Sequence, residues 1–208
     1  MTNDEETKQI AATTDNGNSP SQHDQHDQHD DARRQLDAFR KQKDKFLAEH
    51  PQSPLLPEDK EQFRGANYYP VDMSYRVIAT LVPETRPGIF KVQTTTGDAK
   101  EYTRVGRLEF QIGEQKLSLV AFMPPADEPL HGNRLFVPFR DKTSGKETYG
   151  AGRYLDLNKR PGDEYVLDFN RAYNPYCAYS PFYSCPIAPG ENSLPIEIRA
   201  GEKSFHKD

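Results

Sequence analysis

The stretch YTRVGRLEFQIGEQKLSLVAFM, residues 102–123, decides the fold. Leu108, Phe110 and Ile112 alternate with Arg107, Glu109 and Gln111, the period of a strand with one buried face. Gly113-Glu114 turns the chain, and Leu117, Leu119, Ala121 and Met123 continue on a second arm. The pair reads as a β-hairpin. Gly106, inside the first arm, predicts a bulge or a close backbone approach.

The same period extends outward in both directions. Tyr75, Val77, Ala79 and Leu81 alternate with Arg76 and Thr80, and the β-branched run Ile89–Thr96 ends at a Gly97-Asp98 turn. Leu135–Arg140 and Glu147–Leu157 flank a turn at 142–145, and short strands are expected near Tyr165–Phe169 and Leu194–Arg199. About eight short strands with hairpin punctuation predict a mainly β chain, a single antiparallel barrel-like or sandwich domain over 53–203. About 176 residues of folded chain bury roughly 70% of their unfolded surface, enough for one core.

A short helical segment precedes it, over 31–50. Ala32, Leu36, Phe39, Phe46 and Leu47 fall on one stripe, and His50-Pro51 ends it. Arg33, Arg34, Arg40, Lys41 and Lys45 are expected on the solvated face, interleaved with Asp37, Asp44 and Glu49. A helical turn is expected from Pro57 to about Phe63.

Residues 1–30 read as a disordered tail, too poor in large apolar groups to offset chain entropy. It repeats Gln-His-Asp three times over 22–30, a tract that binds divalent metal adventitiously and otherwise serves as a solvating linker. The formal net charge of −5 belongs to this end, because residues 1–32 carry eight acids against Lys8 alone. The remainder is nearly neutral and offers no electrostatic footprint for nucleic acid. No apolar run approaches the roughly 20 residues of a membrane-spanning helix, and no secretory h-region is visible. A cytoplasmic location, with neither membrane nor nucleic acid as partner, and free thiols at Cys177 and Cys185 are therefore expected.

The second half is dense with aromatics and prolines. Seven aromatic residues lie between Tyr165 and Tyr183, and Pro175, Pro181 and Pro186 remove backbone donors among them. Such a chain cannot ladder, so an ordered irregular loop is expected, held by tyrosines and side-chain hydrogen bonds. Asp168, Asn170, Arg171 and Asn174 are its natural ties.

These runs resemble the domain-of-unknown-function 1684 family of prokaryotic proteins. The resemblance rests on Phe139-Arg140-Asp141, Thr143-Ser144-Gly145, Thr148-Tyr149, Gly152-Arg153-Tyr154-Leu155, Asp168-Phe169-Asn170, Ala172-Tyr173-Asn174-Pro175, Cys177-Ala178-Tyr179, Cys185-Pro186, Glu191-Asn192 and Ala200-Gly201-Glu202. It covers about residues 35–203 and is tightest over 136–202. It implies membership of a family without an assigned activity, and so supplies no mechanism. Family members often carry a tryptophan in the first helix, where this chain has none.

Nucleotide and hydrolase signatures are missing. Gly150-Ala151-Gly152 lacks the third glycine, Gly145-Lys146 is followed by Glu147, and no G-x-S-x-G elbow occurs. No motif indicates a cofactor. A zinc site would need two ligands beyond the two cysteines, so no metal is expected. What remains is a pocket built by 140–192. Arg140, Arg153 and Arg171 suit an anionic ligand with planar oxygens. Tyr149 and Tyr154 would stack on it or bond to it, and Asp141, Thr148, Asp168, Asn170, Asn174, Glu191 and Asn192 complete the polar lining. The first functional expectation is a protein that binds a small, anionic metabolite. The alternatives are an enzyme using Cys177 or a carboxylate such as Asp168 in the same site, and a structural or interaction protein without ligand. A Cys177–histidine pair could form only through His131. A different arrangement, in which Arg153 and Asp168 tie the loop internally, favours the third reading.

Overall fold

In a computed structural model, which describes residues 22–86, 88–124 and 133–205, the predicted hairpin contains the longest strand. It pairs β3 (Ala99–Ile112) with β4 (Gln115–Met123) in register from Thr103↔Met123 to Ile112↔Gln115. Around it run β1 (Arg76–Pro83), β2 (Ile89–Gln93), β5 (Arg134–Phe139), β6 (Arg153–Asn158) and β7 (Glu164–Asp168). All pairings are antiparallel, in the order β6-β5-β4-β3-β1-β7, with β2 added to β3. The end strands β6 and β7 approach each other, so the sheet is nearly closed and barrel-like.

Gly106 does what its place in the pattern predicts. The β3–β4 register shifts between Arg104 and Gly106, and one edge of β3 changes partner there, from β2 to β1. A Cβ on Gly106 would stand 2.4 Å from the Val82 carbonyl oxygen, so only glycine admits the strand crossing.

The sheet interior holds Ala79, Leu108, Leu119, Leu135, Val137, Phe139, Leu155, Leu167 and Phe169, all buried. A second cluster of Val92, Tyr102, Val120, Phe122, Phe136 and Tyr154 lies on the other face of β4 to β6. These strands are covered on both sides, which is why β4 reads Leu-Val-Ala-Phe over 119–122 without a polar break. The outer cover is β2 and the tyrosine-rich chain, bridged at Thr94↔Pro186 and Tyr154↔Tyr173.

Three expectations change. The helix α1 spans Gln22–Glu49, nine residues earlier than predicted, running back through the Gln-His-Asp triplets. Helix propagation from a docked segment costs little per residue, and nothing in the triplets breaks it. Residues 1–21 and His131 lie outside the described residues, as do the side chains of His23 and His26. Glu147–Leu157 is a strand only from Arg153, and Leu194–Arg199 is not a strand. Pro195 interrupts that stretch, which keeps single bonds such as Leu194 N–H to Arg140 O at 2.8 Å. The helical turn at Pro57 is present as α2 (Pro57–Gln62).

The third change concerns α1. Arg40 and Lys43 face the barrel along with Leu36 and Leu47. The Arg40 guanidinium lies 4.4 Å from the Tyr68 ring centroid and donates to the carbonyls of Tyr69 (3.2 Å) and Asn170 (3.4 Å). It was expected on the solvated face, but its long stem reaches around to unpaired loop carbonyls. Among the described residues, no helix is long and apolar enough to cross a membrane.

Candidate functional site

Most of the predicted pocket residues are interior ties. Arg153 opens β6 and points inward, 1% exposed. Its Nη2 donates to Asp141 Oδ2 at 2.8 Å and Ile198 O at 2.9 Å. Its Nη1 donates to the carbonyls of Ala200 and Glu202. The same guanidinium lies over the Phe139 ring. Asp141 is itself engaged by Thr143 N (2.7 Å) and Thr143 Oγ1 (2.6 Å), and Thr143 is in turn bonded to Thr148. The pairing partner is therefore Asp141 and not Asp168. Asp168 Oδ1 accepts from the backbone and side chain of Asn170, both at 3.0 Å. Gly201, at φ +77°, lies between two of the carbonyls Arg153 uses, and a Cβ there would stand 2.6 Å from Phe169 O.

Two asparagines replace missing ladder bonds. Asn170 accepts from Asp72 N at 3.0 Å and donates to Asp72 O at 2.8 Å. Asn192 treats Val120 the same way, at 2.8 and 3.0 Å, and also donates to Pro138 O at 2.7 Å. β4 and β5 pair at Phe122↔Phe136, and the Asn192 amide joins them further along. Asn174 donates to Lys203 O, and its backbone N–H bonds Glu202, which also holds Lys43 and the Tyr179 hydroxyl.

The other predicted pocket residues are also engaged. Arg140 donates to Ala188 O at 3.3 Å, and the Tyr154 hydroxyl to Pro186 O. Arg171 stacks on Phe39 at 4.6 Å, and Glu191 pairs with Arg104 at 2.8 Å and Arg107 at 3.8 Å. Two surface hollows, of about 560 and 380 Å³, are lined by the β3–β4 hairpin end and by residues around Phe63 and Phe205. Neither touches any predicted pocket residue.

Tyr149 and Cys177 stand apart from this network. Cys177 sits in a single 3-10 turn, Tyr176–Ala178, after Pro175 has set the chain direction. Its side chain is half-buried, while Cys185 is 8% exposed, and both are free thiols. Tyr149 Oη lies 3.4 Å from both the carbonyl oxygen and Sγ of Cys177. The Cys177 N–H donates to Cys185 Sγ at 3.3 Å. Cys185 is anchored from β2's extension: Thr95 N–H donates to its carbonyl at 3.0 Å, and Thr95 Oγ1 accepts from its N–H at 3.2 Å.

The consequence is an asymmetric pair. Hydrogen bonding with the facing Cys185 side chain lowers the Cys177 pKa to about 6 against the effect of burial, and the Tyr149 hydroxyl, 3.4 Å from the sulfur, lowers it further. The Cys185 pKa rises, because its interaction with the Cys177 side chain favours the protonated form, and burial adds to this. Burial and the facing sulfur likewise push up the Tyr149 phenol. Tyr154, Tyr176 and Lys100 are the other titratable groups facing the pair. Chemically this is a half-buried thiol whose ionisation is favoured, beside a second, more deeply buried thiol. Among the described residues, no cluster of three or more His, Cys, Asp or Glu could hold a metal ion. Cys177, Cys185 and Tyr149 were visible in the sequence, but Thr95, ninety positions before Cys185, gave no signal.

The fold and this site define a class: a small, nearly closed antiparallel barrel, one flank of which is an irregular tyrosine-rich chain carrying two thiols. A family model described as protein of unknown function (DUF1684) matches residues 61–203, and the chain belongs to that family. The match contains Thr95, Tyr149, Cys177 and Cys185 and begins after α1. The chain is also similar to an uncharacterized protein from gene locus rrnAC0354 of Haloarcula marismortui, solved in solution by NMR. Sequence identity is 41%, with 85% of this chain and 96% of that chain covered and a TM-score of 0.67. No match is found among curated proteins.

Proposed function

We propose that the protein works through thiol chemistry, with Cys177 as a nucleophilic thiolate attacking a soft electrophile that enters beside Tyr176. One observation carries this reading: the half-buried Cys177 sulfur lies 3.4 Å from the Tyr149 hydroxyl, with the Cys185 sulfur on the Cys177 N–H at 3.3 Å. A hydroxyl donor beside the sulfur stabilises the thiolate without a histidine base. The reading as a binder of small anionic metabolites draws less support. The Arg153 guanidinium is engaged by a carboxylate and three carbonyls, and Arg140 and Arg171 are engaged by a carbonyl and a ring.

The test is alkylation of Cys177 by iodoacetamide as a function of pH, followed by peptide mass spectrometry. A lowered pKa raises the thiolate fraction but lowers intrinsic nucleophilicity, so the pH midpoint is more telling than the rate at pH 7. The expected midpoint is about 6. Tyr149→Phe removes one donor to a charged sulfur and moves the midpoint up by about one pH unit. A wild-type midpoint near the ordinary thiol value of about 8.5 would overturn the reading.

A further inference from the structure

We infer that Cys177 and Cys185 form an oxidisable pair, in which Cys177 takes an oxygen atom from a substrate of the hydroperoxide class and Cys185 resolves the product to a disulfide. This rests on Cys177 being the nucleophile and adds its substrate class and its partner thiol.

Four observations carry it. The two cysteines are already adjacent: the Cys185 sulfur accepts the Cys177 N–H at 3.3 Å. Their exposure is graded, with Cys177 reachable and Cys185 at 8%, so an oxidant meets one before the other. The chain between them contains a 3-10 turn and no strand, so the sulfurs can close to bonding distance without breaking a ladder. Cys185 is fixed to Thr95 through both its N–H and its carbonyl, which holds the resolving sulfur in place while the 3-10 turn adjusts.

The steps balance as follows. The Cys177 thiolate attacks the peroxide oxygen; an S–O bond forms, the O–O bond breaks, and the alkoxide or hydroxide takes a proton from water. Cys177 is now a sulfenic acid, oxidised by two electrons. The Cys185 thiol loses its proton and attacks the Cys177 sulfur. The S–S bond forms, the S–O bond breaks, and hydroxide leaves with that proton as water. An external dithiol returns both cysteines to the reduced state by exchange.

The experiment uses the full chain, reduced, freed of reductant and treated with a slight excess of hydrogen peroxide, then quenched with N-ethylmaleimide. The expected product is lighter by two hydrogens, takes up no maleimide, gives a linked 177–185 peptide and reverts with dithiothreitol. In Cys185→Ser, the expected product is one oxygen heavier at Cys177 and is trapped by dimedone. In Cys177→Ser, Cys185 is expected to stay reduced. Oxidation of wild-type Cys177 to the sulfinic acid with Cys185 still free would overturn the pair, as would an intermolecular disulfide. The thiolate reading survives either result if alkylation keeps its acidic midpoint. Inertness of Cys177 to both reagents overturns both.

Discussion

Arg153 shows how a residue that reads as a ligand contact becomes a tie. A guanidinium offers five donors, and here four acceptors meet it: one carboxylate oxygen and the carbonyls of Ile198, Ala200 and Glu202. Those carbonyls belong to chain that forms no named strand, so the arginine stands in for a missing one. Arg153→Ala leaves the Asp141 carboxylate, 7% exposed, without its countercharge and three carbonyls without a donor. Breaking one side of a buried pair costs about 3–5 kcal/mol. The expected result is a large fall in the urea midpoint, read by far-UV circular dichroism. A variant as stable as wild type would show that Arg153 is dispensable to the fold and reopen it as a ligand contact.

At the scale of elements, α1 is fastened by charge as much as by its apolar stripe. Leu36 and Leu47 are buried, but the specific contacts are Arg40 on the Tyr69 and Asn170 carbonyls and Lys43 on Glu202. Lys43 also lies 5.3 Å and 5.5 Å from the ring centroids of Tyr173 and Tyr179. Removing it strands Glu202, which is 1% exposed, at the point where helix and tyrosine-rich chain meet. Lys43→Ala is expected to speed amide exchange in residues 35–47 by at least tenfold, since a loss of about 1.4 kcal/mol is a tenfold change. The amides of β3 and β4 should be unaffected. Equal acceleration in the hairpin would mean that the helix is integral to the barrel and not docked on it.

For the molecule as a whole, the irregular chain from Phe169 to Glu202 is part of the fold and not a lid. It bridges Tyr154, Thr94, Arg140 and Tyr68, and it supplies Asn192 to β4 and β5. Sheet and loop should therefore unfold together. The chain has no tryptophan, and four of its eleven tyrosines, Tyr173, Tyr176, Tyr179 and Tyr183, lie in the loop, so tyrosine fluorescence samples the loop as well as the barrel while far-UV circular dichroism reports on the sheet. Coincident denaturation curves are expected. A fluorescence transition at lower denaturant would identify the tyrosine-rich chain as a separable cover over the thiol pair.

How much of this was legible follows from where each signal resides. The β3–β4 hairpin, its Gly113 turn and the Gly106 irregularity were readable, because period-two alternation and glycine placement are local. The strand expected over 194–199 failed because alternation there reflects burial against Arg153 and the core, without ladder partners. Arg40 was assigned to solvent because a helical stripe counts apolar residues and is blind to a guanidinium reaching loop carbonyls. The sequence by itself determined the mainly β character, the helix ahead of it, the family and the polar residues of the second half. Only the tertiary structure decided what those residues do. It set Arg153 against Asp141 and three carbonyls, gave Asp168 to Asn170, and brought Thr95 and Tyr149 to the two cysteines. The physical reason is that a charged or amide group takes its role from the nearest unsatisfied partner in space, and a barrel that nearly closes on itself brings together residues tens of positions apart.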